Sequence, residues 1–313
     1  MKTVTVVVPV YNEGAAVAAH LVEIADYLFL HGQAYAFDYL VVDDGSTDET
    51  PEVLRAFARH RPSVQIVTHE RNRGLGQALR TAFERAQGCY TVVLDADLSY
   101  SPDIAMQLIE ALEREDADLA LASAYMRGGS VVNVPWMRRI LSREANRLLS
   151  LAAKGKYATF TCMVRAYRTA FLRSLSFASD GMEANAQILF AALRAQGRIV
   201  EIPARLQWNS QRRSSCRVPV RRLAKQTRAT MRIAFAFRPA LWLAVPGLFP
   251  GLLPLVVTVM LLLHVKPQTL AIGSAATIAI QYTSLAIFAG QLTAFFGRAF
   301  FHSSNAKTQR ALH

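Results

Sequence analysis

Apolar positions change their period repeatedly along the first part of the chain. Val4 to Val10 is a β-branched run of the kind covered on both faces, whereas Ala15 to Leu30 sets its apolar residues at helical spacing. Tyr39 to Val42 then predicts a short buried strand, and Thr50 to His60 a helix behind the potential cap Asp48. Val64 to Thr68 reads as a strand, Gly76 to Ala86 as a helix, Tyr90 to Leu94 as a strand and Pro102 to Glu115 as a helix. Strands alternating with helices predict an α/β fold, a mostly parallel sheet with helices on both faces. No repeat or low-complexity stretch interrupts residues 1–211, which read as one domain.

The pattern changes further on. Two uncharged runs, one between Arg238 and Lys266 and the other between Lys266 and Arg298, each exceed the roughly 20 residues that cross a hydrocarbon core. They predict a two-helix transmembrane hairpin at about 241–265 and 269–297, within 239–300, followed by a tail over 301–313. A buried soluble helix is the alternative for either run alone. Prolines 246, 250 and 254 delay or kink the first span.

Charge sharpens this division. The 313 residues carry 35 Lys and Arg against 23 Asp and Glu, yet Glu201 is the last carboxylate and 14 of the basic residues follow it. Residues 1–201 therefore hold 21 basic and 23 acidic groups (35 − 14 = 21), close to neutral. A nearly neutral globular part followed by a basic, apolar part points to a membrane rather than to nucleic acid. The stretch 212–238 holds nine Lys or Arg and no acid, as expected of an interfacial helix or a positive flank. Basic residues at both outer ends, with only Lys266 between the runs, predict a cytoplasmic domain and tail in a two-span protein of a bacterial-type inner membrane. MKTVTVVVPVYN reads as a strand entering a turn rather than as a leader, and cysteines 89, 162 and 216 form no paired metal motif. At 52% hydrophobic and 19% charged, the composition excludes disordered and fibrous classes.

Polar clusters follow the predicted strands: YNE after the first, DDGSTDET after the second, NRGLG after the third and DADLS after the fourth. In a parallel α/β sheet ligands bind at those carboxyl ends, so the four clusters share one rim. Asp95 and Asp97, two apart at a strand end, suit one hard divalent cation, although Asp is also a common turn residue. Asp43 and Asp44 can accept hydrogen bonds from a nucleobase or ribose, while Ser46, Thr47 and Asp48 also suit helix capping. The glycine turn at 72–76 permits close backbone approach but lacks the last glycine of a dinucleotide fingerprint.

In this order, VVPVYNE (7–13), VVDDGSTDET (41–50), NRGLGQA (72–78) and LDADLSYSP (94–102) resemble the family 2 glycosyltransferases of GT-A fold. With AYMRGG, SREANRLL and VRAYR added, the chain is similar to the dolichyl-phosphate mannosyltransferase and polyprenyl-phosphate glycosyltransferase branch over about residues 4–217. That resemblance implies a Rossmann-like GT-A domain moving a sugar, with inversion, from a GDP- or UDP-linked donor to a polyprenyl phosphate. Pro9, Tyr11, Glu13, Val42, Asp43 and Asp44 would then meet the nucleotide. Asp95, Ala96 and Asp97 would lie at its diphosphate, with Asp95 and Asp97 holding Mg²⁺ or Mn²⁺. Arg143 and Arg165 match basic positions near a phosphate, and Glu183 matches a carboxylate on the far wall. The chain could work alone or as a homo-oligomer.

The match weakens on the acceptor side. Ala124 stands before Tyr125 where the branch has an arginine, leaving Arg127 as a substitute. Thr159, Cys162 and Met163 replace Asp, Gly and Ser, and QRRSSCR only echoes the closing basic segment, with Arg212, Arg213 and Arg217 as candidates. Two other readings stay open: transfer to a lipid or saccharide hydroxyl with Glu183 or Asp180 as base, and a non-catalytic membrane protein that keeps the fold.

Overall fold

The structure, a computed structural model, describes residues 1–59, 61–208, 229–235, 237 and 282. The chain divides into two compact units, Met1–Ile233 and Ala234–His313. The expected spans, the tail, and Arg212, Arg213 and Arg217 lie outside the described residues, apart from residue 282 in the second span; residues 229–235 of the basic stretch are helical. No helix of the described residues is long and apolar enough to cross a membrane.

In the first unit the elements run β1 (Lys2–Val10), α1 (Ala16–His31), β2 (Tyr35–Asp43), α2 (Thr50–Ala58), β3 (Val64–Thr68), α3 (Leu75–Arg85), β4 (Tyr90–Val93) and α4 (Asp103–Arg114). They continue with β5 (Leu119–Ser123), β6 (Ser130–Val132), α5 (Trp136–Ala152), β7 (Arg165–Arg168), α6 (Thr169–Ser174), α7 (Ala184–Arg194), β8 (Ile199–Pro203) and β9 (Arg205–Gln207). Seven strands form one sheet in the order β3-β2-β1-β4-β7-β5-β8, and β6 pairs with β9 in a second. The large sheet is parallel except at β7, which runs antiparallel to both β4 and β5.

The expected α/β architecture, mostly parallel, is therefore the observed one, and every element anticipated up to Glu115 is present with ends shifted by a few residues. β1 is an inner strand, between β2 and β4, with Val4, Val6, Val7 and Val8 buried, as its unbroken apolar run requires. α1 packs through Val17, His20, Leu21, Ile24 and Leu28, one stripe at helical period.

Order 3-2-1-4 places the topological switch between β1 and β4, and in open parallel sheets ligands bind outside the carboxyl ends of the strands at such a point. The pairing of β1 with β4 covers only Val4–Val7, so Pro9 lies beyond that ladder, where its missing N–H costs no bond to β4. The two strands part at that point, and the chain after each turns into polar loops.

Candidate active site

Loops from β1 and β2 build one wall. After β1 the chain turns through Asn12 at φ 53°, a left-handed conformation that asparagine tolerates. Asn12 accepts from the Thr47 N–H at 2.8 Å while its own N–H donates to Ser46 Oγ at 2.9 Å. The N–H groups of Glu13 and Gly14 both donate to Thr50 Oγ1, at 3.0 and 2.8 Å. The Tyr11–Glu13 and Ser46–Thr50 segments are thus one hydrogen-bonded unit, with Tyr11 exposed on it.

The adjacent aspartates have different surroundings. Asp43 is buried, and its Oδ1 accepts from the Ser46 N–H at 3.0 Å and the Ser46 hydroxyl at 2.5 Å. Its Oδ2 is buried without a partner, as is Arg165 Nε. Asp44 is fully engaged by the protein: Oδ1 accepts from His69 Nδ1–H at 2.7 Å and the Arg73 N–H at 3.0 Å, and Oδ2 from the Gly74 N–H at 2.7 Å. His69 Nε2 lies 2.9 Å from Thr81 Oγ1 on α3.

Asp44 therefore anchors the glycine turn. Gly74 has φ 93°, and a Cβ there would stand 2.3 Å from the Asp180 carbonyl oxygen, so glycine is required twice over. The Gly76 N–H donates to that carbonyl at 2.7 Å, and Arg80 bonds the Ser179 carbonyl at 3.0 Å and pairs with the Asp180 carboxylate. Rather than wrapping a dinucleotide, the turn joins the β2 loop to the segment that leads into α7.

After β4 comes the Asp95-Ala96-Asp97 turn. Asp97 Oδ1 accepts from the Ser99 N–H at 3.0 Å and hydroxyl at 2.6 Å, and Leu98 takes the left-handed φ of 53°, uncommon for leucine. Three outside contacts hold this turn: the Leu94 N–H donates to the Val7 carbonyl at 2.9 Å, the Gln207 N–H to the Ser99 carbonyl at 2.8 Å, and His20 Nδ1–H to the Ala96 carbonyl at 2.8 Å. Below it, the buried Cys162 donates to Tyr100 Oη at 3.5 Å. Burial, aided by the Asp95 charge, pushes the Cys162 thiol up to about 11 and the Tyr100 phenol well up too, so both stay neutral beneath the carboxylates.

The donor set fits a hard divalent cation. Asp95 and Asp97 are both half-buried carboxylates, and oxygen is what Mg²⁺ and Mn²⁺ take. Among the described residues no group of three or more His, Cys, Asp or Glu could hold an ion alone, so a cation at this turn needs oxygens from a ligand.

On the far side the expectations meet a mixed result. Arg143 is exposed on α5, and Glu183 sits at the N-terminal boundary of α7. Arg165 departs from the expected phosphate contact. It is fully buried, and its guanidinium donates to the Asn185 carbonyl at 2.7 Å and the Phe160 carbonyl at 2.8 Å. It lies on β7 between β4 and β5, where a long side chain enters the core and staples the loop before β7 to the start of α7.

That loop carries the departures at Thr159 and Cys162, and both are buried. Glu201 accepts from the Ala158 and Thr159 N–H groups, Asn146 Oδ1 from the Phe160 N–H at 2.6 Å and the Thr161 N–H at 3.1 Å, and Thr159 Oγ1 meets Ser123 Oγ at 2.6 Å. His20, His69, Asn146 and Glu201 were not among the expected site residues. Each acts through a non-local contact; only the break that His20 makes in an apolar helix stripe hints at one.

The sheet and its switch-point turn define a GT-A-like α/β protein. The family model described as glycosyl transferase family 2 matches residues 5–176, and the chain belongs to that family. It is 34% identical over 142 residues to a dolichol-phosphate mannosyltransferase of Pyrococcus furiosus, covering 45% of this chain and 39% of the relative. It is 32% identical over 177 residues to an undecaprenyl-phosphate 4-deoxy-4-formamido-L-arabinose transferase of Edwardsiella ictaluri, covering 56% and 52%. A polyprenol monophosphomannose synthase of Mycolicibacterium smegmatis is 30% identical over 205 residues, covering 63% and 75%. The chain thus spans about half the length, or less, of the first two. A glucosyl-3-phosphoglycerate synthase of Mycobacterium tuberculosis, solved with Mn²⁺, UDP and glucosyl-3-phosphoglycerate, superposes with a TM-score of 0.57 at 20% identity, over 75% of this chain and 80% of that one, a likeness of fold.

Proposed function

We propose that this protein transfers a sugar, with inversion, from a nucleotide-linked donor to a polyprenyl phosphate at the cytoplasmic face of a membrane, to which residues 239–300 anchor it. The observation that carries the reading is the Asp95-Ala96-Asp97 turn, held from outside by His20, Val7 and Gln207 at the topological switch point. The orphaned Asp43 Oδ2 nearby along the rim adds to it, since a buried acceptor without a partner is costly and a base or ribose donor would satisfy it. The polyprenyl-phosphate relatives support the acceptor class, and the apolar runs and their basic flanks support the anchor.

In this reading Asp95 and Asp97 hold Mg²⁺ or Mn²⁺, which supplies charge neutralisation to the departing nucleoside diphosphate. Asp43 orients the nucleoside, and Asp44 keeps the 72–76 turn in place against it. An oxygen of the acceptor phosphate attacks the anomeric carbon as its bond to the diphosphate oxygen breaks on the opposite side. That oxygen is already ionised at neutral pH, so no strong base is required, and positioning with charge stabilisation carries the rate. Arg143, exposed, is the candidate to meet the acceptor phosphate; Arg165 acts from the core by fixing the wall that bears Glu183.

Washed membranes containing the chain, supplied with labelled nucleotide sugars and matched polyprenyl phosphate or polyprenol, test this. Label in a phosphate-linked lipid supports the reading, label in the polyprenol product replaces it with hydroxyl transfer, and no product with any donor favours a binding role.

A further inference from the structure

Ser179 is held from two helices at once. Its N–H donates to Gln187 Oε1 on α7 at 2.9 Å, beside the Ala178 N–H at 3.1 Å, and its carbonyl accepts from Arg80 Nη1 on α3 at 3.0 Å. The same guanidinium donates to Gln77 Oε1 at 2.8 Å, pairs with the Asp180 carboxylate and lies 5.4 Å from the centre of the Phe177 ring. Phe177 in turn meets Phe83 of α3 edge-on, with ring centres 6.1 Å apart. Residues 177–180 therefore form a strap, clamped to α3 through a carbonyl and a ring and to α7 through two N–H groups.

The strap meets the 72–76 turn backbone to backbone. A Cβ at Gly76 would stand 1.9 Å from the Ser179 carbonyl oxygen and one at Gly74 2.3 Å from that of Asp180, while the Gly76 N–H donates to the Asp180 carbonyl at 2.7 Å. No side chain lies at these contacts to absorb a displacement, so the turn cannot move toward the strap without moving it. Beyond Asp180 the strap runs through Gly181 into α7, whose N-terminal boundary is Glu183; a Cβ at Gly181 would stand 2.4 Å from Glu183 Oε2. The Arg80 contacts differ in weight. The Asp180 side chain is 66% exposed, so its ion pair is worth little, whereas the Ser179 carbonyl belongs to a peptide run already tied to Gln187. An apolar side chain at position 80 would pack on Phe177 equally well; the donor fork is needed to hold the polar backbone of the strap.

We propose that Arg80 is a positioning residue, with Gln187 as its counterpart. Together they clamp the strap between the glycine turn and α7, so that a nucleoside diphosphate bound against the turn sets where α7 and Glu183 stand on the far wall. In this role neither residue needs to touch the nucleotide; each acts through Ser179. The consequence is a coupling between the nucleotide side and the α7 side of the domain, carried by bonded backbone. The inference rests on the nucleotide-binding part of the proposed function and needs neither a polyprenyl acceptor nor sugar transfer.

Hydrogen exchange of the full-length protein in detergent, read by mass spectrometry with and without UDP or GDP plus Mn²⁺, tests this. In the wild type, nucleotide should slow exchange at 43–50 and 72–76 and, beyond the nucleotide wall, at 178–187 by roughly two- to tenfold. Arg80→Met should keep the effect at 43–50, with nucleotide affinity largely retained, and lose it at 178–187. Gln187→Leu should do the same. Gln187→Glu, which keeps an oxygen for both N–H groups, and Asp180→Asn, which gives up only the exposed ion pair, should preserve the slowing. Should Arg80→Met fail to fold, the two Gln187 variants decide alone. Slowing at 178–187 that survives in Arg80→Met or in Gln187→Leu would overturn the positioning role, since a merely structural contact changes the melting temperature and leaves the nucleotide response intact. Slowing confined to 43–50 and 72–76 in the wild type would overturn the coupling while nucleotide binding stands. No nucleotide effect anywhere would reject the nucleotide reading and this inference with it, whereas a protein that shows the coupling yet transfers no sugar would reject the enzymatic reading alone.

Discussion

Replacing Asp44 by asparagine removes one acceptor from a place where three donors converge. His69 Nδ1–H and the Arg73 N–H share Oδ1 at 2.7 and 3.0 Å, and the Gly74 N–H meets Oδ2 at 2.7 Å. An asparagine can present oxygen to only one side, so its NH₂ must confront either the Gly74 N–H or the His69–Arg73 pair. Asp44 is buried, so the donor left over cannot turn to water, and the cost is about 1–3 kcal/mol. For a domain of this size each kcal/mol lowers the melting temperature by about 2–4 °C, which gives a fall of about 2–12 °C. Thermal unfolding of the full chain by circular dichroism, with nucleoside diphosphate affinity measured in parallel, separates two roles. A lowered melting temperature with nucleotide affinity largely kept is the expected outcome. An unchanged melting temperature with nucleotide binding lost would refute the anchoring role and return Asp44 to direct ligand contact.

Three other perturbations bear on the site. His20→Leu removes the bond to the Ala96 carbonyl and should weaken Mn²⁺ binding in the presence of UDP by roughly two- to tenfold, read by electron paramagnetic resonance, whereas His20→Asn, which keeps a donor near that carbonyl, should restore it; equal affinity in both would dismiss the role. Arg165→Met should lower the melting temperature, because two buried carbonyls lose their donor, and should slow turnover while the donor KM stays put; a raised acceptor KM with unchanged melting would instead mark Arg165 as a phosphate ligand. In a Cys216→Ser background, Cys89 is exposed and its thiol is held below the ordinary value by hydrogen bonding to Thr3, so thiolate, the reactive form, is populated at lower pH. Its alkylation should reach half its maximal rate below pH 9, while Cys162, with its thiol at about 11, should react only on unfolding; mass spectrometry decides between them.

The rim of polar loops at the strand ends was legible in the sequence because its signals are local. A change of period marks each strand, and a polar cluster at the strand end marks the rim. What escaped was set by contacts distant along the chain. RAYR is four residues with no period of its own, and only its pairing with β4 and β5 makes it a strand and sends Arg165 into the core. The pair Asp43-Asp44 looks uniform in sequence, yet neighbours at a strand end point to opposite sides, so one carboxylate turns to the glycine turn while the other keeps an unpartnered oxygen. His20 occupies an apolar stripe of α1 where a buried hydrophobic residue would serve equally for packing; its purpose appears only once the Ala96 carbonyl lies 2.8 Å away. Thr159 and Cys162, expected at the acceptor, are buried in the wall instead.

The account depends most on the carboxylate at position 97. Asp97→Asn keeps an Oδ1 that accepts from Ser99, so the turn retains its shape while the charge offered to a cation is lost. Initial rates of labelled sugar transfer to polyprenyl phosphate by wild-type and Asp97→Asn chains, with and without Mn²⁺, compare the two directly. The account predicts metal-dependent transfer by the wild type and a loss of about a hundredfold or more in the variant at an unchanged melting temperature, corresponding to several kcal/mol of transition-state stabilisation. Equal rates from the two proteins, undiminished by EDTA, would contradict it.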